Sequence, residues 1–224
     1  MGRWIDISMK VTDGLRTNHS KPGEEVRITY DVKPDKDSGQ NKTVRRVNTR
    51  FHIGTHVDGP EHLVLGGKRL DEYPMDSFVG RAWVIDMYHK VPKGIITATD
   101  LDKASGKKAG KGDIILLRTG WNSHYPDPDF FTDSPYFDPK AADWCIQRGL
   151  KMVAIDFLSD PTAKELQTEG PDIFKTKLLA AGILVMTNAD YLDQIKKEQV
   201  TLYAFPLKIV PSEAGLTRAV VWEE

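Results

Sequence analysis

The sequence predicts an α/β domain in which helices flank a mixed sheet. Two nearly continuous apolar runs, DIILLRTGW (113–121) and MVAIDF (152–157), are typical of strands buried on both faces. From Asp138 onward the predicted order is helix, strand, helix, strand, which favours βαβ connections. No linker-like change of composition divides the 224 residues, so we expect one domain over residues 1–224.

The other strand predictions rest on short runs that are rich in β-branched and aromatic residues. Most of them fall in the first half of the chain and in its last third. In chain order they are WIDI (4–7), EVRITYDV (25–32), VRRVNTRFHI (44–53), AWVIDM (82–87), GILVMT (182–187), LYAFPLKIV (202–210) and RAVVW (218–222).

Three helices are predicted from the signals at their ends. Asp138 and Pro139 precede KAADWCIQRGL as an N-cap and a proline at the first helical position, and Gly149 follows the last turn. A second helix lies in PDIFKTKLLAAG (171–182), which also ends on glycine. TATDLDKA (97–104) begins like a third.

Composition excludes several classes of function. The chain has 31 basic and 32 acidic residues, so it lacks the excess of positive charge that binding to nucleic acid or an anionic membrane requires. Cys145 is the only cysteine, which excludes an internal disulfide and a multi-cysteine zinc site. No signal peptide and no membrane-length apolar run is visible, and we expect a cytoplasmic protein.

The segment FHIGTHVDGPEH holds three of the six histidines. His52, His56 and Asp58 all occupy even positions, and an extended chain would point them to one side. Gly54 leaves a gap between them and permits a kink that brings the two imidazoles closer together. The Asp-Gly-Pro run then ends the strand, so that the chain can turn and aim His62 at the same place.

This pattern favours a metal site. Two imidazoles and a carboxylate are a common open ligand set for Zn²⁺ or Mn²⁺, and the ion would make hydroxide available as a nucleophile. His62 suits a general acid or base because imidazole titrates near neutral pH. A helical zinc-protease motif is excluded, since IGT supplies no glutamate between His52 and His56. The alternatives are polar residues of a surface loop or hydrogen-bonded histidines of the core.

The run HIGTHVDGPEH resembles the H-x-G-T-H-x-D-x-P-x-H signature of the cyclase family, which includes bacterial kynurenine formamidases and isatin hydrolases. Further blocks follow in family order, and the resemblance extends from residue 4 to about residue 222. These blocks are WIDIS, GDIILLRTGW, AIDFLSDP, AFPLKI and RAVV.

The resemblance implies a swivelling β/β/α fold, a homodimer or homotetramer, and a Zn²⁺ or Mn²⁺ centre. The implied reaction is hydrolysis of an amide-type C–N bond in a small amide, lactam or related cyclic substrate. Carried over by position, the metal ligands would be His52, His56 and Asp58. His62 would be the catalytic histidine.

The sequence departs from the family at two positions. Lys175 and Thr187 stand where the resemblance implies a histidine and a glutamate that complete a second metal site. An ammonium repels a cation, and a hydroxyl is a poor replacement for a carboxylate, so we expect one divalent ion or a weak second site. DFLSDP also differs from the D-T-x-S-x-D-P spacing of formamidases. The resemblance therefore does not predict which substrate this chain acts on.

Four other residues are weaker candidates. Trp121 is predicted to line the substrate site, with ordinary core packing as the alternative. Lys175 is a candidate for substrate binding, with a surface lysine on a helix as its alternative. Asp156 and Asp160 follow a predicted strand, where functional residues are common in α/β sheets, but capping or turn roles would explain them equally well.

Two other functions remain open. A family member with altered chemistry would bind a small ligand without hydrolysing it, and the replacements at Lys175 and Thr187 motivate that hypothesis. A lyase or dehydratase would use the same metal site, with Lys175 as a base or as a cation that binds a carboxylate.

Overall fold

A nine-stranded mixed sheet organises the chain. The structure is a computed structural model that describes residues 1–16, 24–32, 35, 37–39, 42–106, 108–158 and 172–224. Its strands are β1 (Arg3–Asp6), β2 (Arg27–Val32), β3 (Val44–Asn48), β4 (His56–Asp58), β5 (Val79–Asp86), β6 (Ile95–Ile96), β7 (Ile114–Arg118), β8 (Tyr136–Phe137), β9 (Met152–Ile155), β10 (Leu184–Thr187), β11 (Gln199–Tyr203), β12 (Ala214–Leu216) and β13 (Val220–Glu223). The helices are α1 (Ala98–Ser105), α2 (Asp129–Thr132), α3 (Pro139–Arg148) and α4 (Ile173–Ala180).

The strand order of the main sheet is β1-β13-β11-β5-β7-β9-β10-β4-β12. Its four central strands, β5, β7, β9 and β10, are parallel, and the strands outside them pair antiparallel. Strands β2 and β3 form a separate ribbon, as do β6 and β8. The predicted mixed sheet is therefore confirmed, and α3 and α4 are the crossover helices that lead into β9 and β10.

Alternate residues of the central strands pack on opposite faces of the sheet. Ile115 and Leu117 belong to the core cluster that also contains buried side chains of α1, α3 and α4. Ile114 and Leu116 point to the other face, where the sheet packs against residues such as Ile7. Burial of both faces explains why these strands are continuous apolar runs. Among the described residues, no helix is long and apolar enough to cross a membrane.

The three predicted helices are confirmed close to their predicted ends. The Asp138 carboxylate accepts a hydrogen bond from the Lys140 amide at 2.7 Å, and Gly149 ends α3 with a φ of +65°. Two predicted strands, however, are shorter than expected. The strand predicted at 44–53 ends at Asn48, and the one predicted at 202–210 ends at Tyr203. The strand predicted at 202–210 is shorter because Pro206 has no amide proton to donate to a ladder. After Asn48, the chain of the strand predicted at 44–53 bends towards the histidine cluster.

The start of α1 is stabilised by a capping box joined to an ion pair. The Asp100 carboxylate accepts hydrogen bonds from the Thr97 amide at 2.8 Å and from its hydroxyl at 2.6 Å, and Lys90 Nζ lies 2.7 Å away. Burial alone would raise the pKa of Asp100, but the Lys90 and Thr97 donors outweigh it and lower the pKa to about 2.

We expect Asp100→Asn to reduce the free energy of unfolding at pH 7 by about 1–2 kcal/mol, a value that allows for partial solvent screening. A lowered pKa in the folded state stabilises the fold above the unfolded pKa of 3.8, and this contribution is lost as the pH falls through about 2. Denaturant unfolding of both proteins between pH 7 and 2 tests this. A difference that does not shrink in acid would contradict it.

Candidate metal centre

Strand β4 carries two of the predicted ligands and is hydrogen-bonded on both sides. It pairs antiparallel with β10, where His56 lies opposite Thr187, and with β12, where Asp58 lies opposite Ala214. A strand with neighbours on both edges has a fixed register, so the side chains of His56 and Asp58 point to the same face. That face is the one covered by α4, because the intervening Val57 belongs to the core of the other face.

The segment before β4 is folded back rather than extended, and the predicted kink at Gly54 is confirmed. Gly54 has a φ of +54°, and a Cβ atom there would lie 3.1 Å from the Val11 side chain. Two hydrogen bonds hold the kink: Asn188 Nδ2 donates to the Gly54 carbonyl at 3.2 Å, and Thr55 Oγ1 donates to the Asn188 carbonyl at 2.6 Å. The predicted alternation within one strand therefore holds for His56 and Asp58 only.

The kink places His52 beside the two ligands on β4. One donor atom from each of His52, His56 and Asp58 lies within 4.8 Å of the others. Asp58 Oδ1 is 2.9 Å from His52 Nδ1 and 3.4 Å from His56 Nε2. Ligand atoms about 2.1 Å from a divalent ion lie roughly 3.0–3.5 Å from one another. The structure thus brings together the three predicted metal ligands, and the two distances from Asp58 Oδ1 fit a shared ion.

The second nitrogen of each ring has a partner of its own. His56 Nδ1 lies 2.9 Å from the Gly54 carbonyl, to which it can donate only if its proton is on Nδ1. His52 Nε2 lies 3.3 Å from Glu213 Oε1. These contacts favour coordination through His56 Nε2 and His52 Nδ1. A partner that fixes the tautomer and ring orientation is usual for metal-binding histidines.

Sequence reasoning missed Glu213, whose carboxylate contacts His52 and whose backbone is anchored beside the site. The Glu213 carbonyl accepts a hydrogen bond from the Gly59 amide at 2.9 Å, and this contact joins the loop before β12 to the end of β4. No motif marks the residue, and it lies 161 positions after His52. Its role follows only from the pairing of β4 with β12.

We expect Glu213→Gln to weaken binding of the metal ion roughly 10- to 100-fold, because an amide fixes the His52 ring less firmly and adds no charge to it. Titration of the metal-free protein with Zn²⁺ or Mn²⁺ measures the change. Glu61→Gln, which removes an exposed carboxylate beside His62, is the matched control and should leave affinity unchanged. Equal affinities of wild type and Glu213→Gln would rule out this role.

Asp58 is a fully buried carboxylate surrounded by groups that carry or can carry positive charge. Neither of its oxygens accepts a hydrogen bond of standard geometry from the described residues. Instead, Oδ1 faces His52 and His56, and Oδ2 lies 3.2 Å from Lys175 Nζ. Burial raises the pKa of Asp58, but Lys175, His56 and His52 outweigh it and hold the pKa well below its usual range. Asp58 is therefore ionised and ready to bind a cation.

Both residues that depart from the family pattern lie at this centre. Lys175 is only 6% exposed, so the alternative of a surface lysine is wrong. Thr187 is 2% exposed, and its hydroxyl oxygen lies 3.1 Å from His56 Nε2. Their spatial position agrees with the prediction that they replace ligands next to the first metal site.

His62 lies at the open side of the cluster. It ends a 3-10 turn, Pro60–His62, and its ring stacks on that of His52 with the centroids 4.0 Å apart and an angle of 30° between the planes. The predicted turn after Asp58 therefore does bring His62 to the ligands. It is partly buried, which leaves part of the ring open to a substrate or to solvent.

The weaker candidates have structural roles. Trp121 is 1% exposed in the helix-side core, and its indole nitrogen donates to the Phe130 carbonyl, so core packing describes it better than substrate contact. The Asp156 carboxylate accepts from the amides of Thr119 and Gly120, which is a turn role. Burial raises the pKa of Asp156 to about 6. Asp160 lies outside the described residues.

Comparisons with known proteins agree with this geometry. Residues 5–160 match the family described as "Putative cyclase". A kynurenine formamidase from Geobacillus thermodenitrificans is 26% identical over 99% of this chain and 98% of that protein. One from Erythrobacter litoralis is 28% identical over 84% and 80%. In structure, isatin hydrolase A from Ralstonia solanacearum has a TM-score of 0.87 at 20% identity and covers 100% of this chain and 92% of that one, which shows a shared fold.

Proposed function

This chain belongs to the cyclase family, and from that membership and its ligand cluster we propose that it is a metal-dependent hydrolase. The proposed substrate is a small amide, an aryl formamide, a lactam or a related cyclic compound, and the bond cleaved is a C–N bond other than a peptide bond. The observation that carries the proposal is the convergence of His52, His56 and Asp58 next to His62.

The relatives support this reaction class. Proteins named kynurenine formamidase match almost the whole chain, and their name describes a hydrolase that acts on a formamide. Structural neighbours are named isatin hydrolase. Hydrolysis of C–N bonds is common to these names, whereas the substrates differ, so the class of bond is a better supported proposal than any single compound.

Each residue of the cluster has a defined task in this proposal. A divalent ion, Zn²⁺ or Mn²⁺, would supply a Lewis acid and an activated water when bound. His52, His56 and Asp58 would hold it, and the partners of the two rings keep their coordinating nitrogens pointed inwards. His62 stands beside them as a group that can take up a proton and return it to the leaving nitrogen.

Metal depletion and reconstitution test the proposal. The protein is stripped with a chelator, reloaded with Zn²⁺ or Mn²⁺, and assayed with an N-formyl arylamine such as N-formylkynurenine and with the lactam isatin. We expect activity with at least one of them in the loaded protein and none in the stripped protein. Loaded protein that hydrolyses neither would contradict the proposal and favour a protein that binds a ligand without hydrolysis.

A lyase or dehydratase in which Lys175 acts as a base has less support. The Lys175 ammonium lies 3.2 Å from Asp58 Oδ2 and 3.9 Å from Asp172 Oδ2, and its side chain is 7% exposed. These two carboxylates engage the ammonium, and a buried side chain has little surface to offer a substrate. These contacts favour the hydrolase.

We also propose a homodimer or homotetramer, with a small molecule as substrate and no nucleic-acid or membrane partner. Exposed apolar side chains support self-association, since burying them between subunits removes apolar surface from water. Four of them lie between β11 and β12: Phe205, Leu207, Ile209 and Val210. Light scattering coupled to size-exclusion chromatography measures the subunit number, and a monomer at micromolar concentration would contradict this proposal.

A further inference from the structure

We propose that Lys175 is a built-in cation of the metal centre. Its ammonium occupies the space beside Asp58 Oδ2 that a second ion would need, so the centre takes one ion and binds it less tightly than the three ligands alone would. Lys175 is thus a positioning residue that sets the number of ions and their affinity. This inference rests on the proposed metal centre, but it is independent of the substrate.

The Asp58 carboxylate is divided between two kinds of partner. Oδ1 faces the nitrogens of His52 and His56 at 2.9 and 3.4 Å, which is the side where an ion fits. Oδ2 faces Lys175 Nζ at 3.2 Å. A carboxylate that bridges two metal ions uses one oxygen for each. Here the second oxygen is already paired with a positive charge.

The fold fixes the position of the Lys175 ammonium. Asp172 caps α4, and its Oδ1 accepts a hydrogen bond from the Lys175 amide at 2.9 Å, while its Oδ2 lies 3.9 Å from Lys175 Nζ. Asp172 adopts a φ of +34°, a backbone region that is strained for residues other than glycine. Among the described residues, the two carboxylates near the ammonium belong to the strand β4 and to the N-cap of α4.

Lys175 compensates the charge of the buried Asp58 carboxylate in the metal-free protein, because its ammonium lies 3.2 Å from Oδ2. A bound ion would supply the same compensation. Burial of an ammonium and its place in the first turn of α4, the positive end of the helix dipole, are unfavourable by themselves. Lys175 and the ion therefore compete for the charge of Asp58.

The consequence for metal binding follows from charge. With neutral imidazoles, the three ligands carry a net charge of −1, and the Lys175 ammonium beside Asp58 offsets part of it, since it also lies 3.9 Å from the Asp172 carboxylate. Fewer net negative charges around a cation site lower its affinity. A second divalent ion at Asp58 Oδ2 would lie against the ammonium, and the repulsion between them would be strong in a buried site.

The test is titration of metal-free protein with Zn²⁺ or Mn²⁺ alone, followed by calorimetry and by elemental analysis after dialysis. We expect one ion per chain for wild type, and about tenfold or greater tightening in Lys175→Met. Lys175→Arg keeps the charge and should keep wild-type affinity. Lys177→Met is the matched control on the same helix, because Lys177 pairs with Asp143 instead.

Two results would overturn the inference: two ions per wild-type chain, or Lys175→Met with the same or a weaker affinity. If Lys175→Met folds only with metal, the loaded variant and loaded wild type are purified, and a competing chelator withdraws the ion from each. The chelator concentration that each protein resists then compares their affinities for the ion. A wild type that binds no ion would overturn the proposed function itself, so the two failures are distinguishable.

Discussion

Asp58→Asn is expected to abolish metal binding at micromolar ion concentrations and also to destabilise the fold by about 3–5 kcal/mol. The first effect follows because the only anionic ligand of the cluster is lost. The second follows because the buried Lys175 ammonium loses the carboxylate oxygen that lies 3.2 Å from it. Calorimetric metal titration and denaturant unfolding of the metal-free proteins measure the two effects separately.

A double variant separates these effects further. In Asp58→Asn with Lys175→Met, both charges of the pair are removed together, and we expect part of the lost stability to return, since the buried Asp172 carboxylate still accepts the amide of residue 175. Metal binding should remain absent, since the carboxylate is still missing. A double variant that is as unstable as Asp58→Asn alone would contradict the assignment of the Asp58–Lys175 pair as a compensated buried ion pair.

His62→Gln is expected to lower kcat by a factor of about 10²–10⁴ while the protein still binds its ion, because in the proposed reaction His62 moves protons and is not one of the three ligands. The measurements are steady-state kinetics on the formamide or lactam probe and the ion-to-chain ratio. Glutamine keeps a polar side chain of similar length beside His52, so a fall in activity reflects loss of the imidazole.

His89→Gln is the matched control, because His89 is an exposed histidine on a turn away from the ligands. It should leave both kcat and the ion ratio unchanged. If His62→Gln instead loses the ion, His62 belongs to the ligand set. If it retains full activity, another group transfers the proton.

The cluster of candidate metal ligands was predictable because these residues are local. His52, His56 and Asp58 fall within seven consecutive residues, and the glycine between the histidines signals the change of direction that the structure confirms. The helix ends were predictable for the same reason, since an N-cap and a terminal glycine act on the backbone next to them. Features that depend on residues close together in the chain can be predicted directly from the sequence.

Residues that act across the fold were harder to predict. Lys175 was identified only as a replaced residue, and neither its burial nor its pairing with Asp58 follows from the pattern of α4. Glu213 carries no signal at all. The strand predicted at 44–53 was too long because β-branched and aromatic residues continue past Asn48. There the chain turns towards the candidate ligands, and this tertiary arrangement overrides local β-propensity.

The three-residue strand β4 also sets the order in which the centre can form. Its neighbours β10 and β12 lie far towards the C-terminus in sequence, and the His56 ring contacts the Thr187 hydroxyl across a separation of 131 residues. Contacts of such long range close late in folding. During synthesis the ligand segment leaves the ribosome well before the strands that hold it, so an ion could bind at the complete site only after the C-terminal part of the chain has been made.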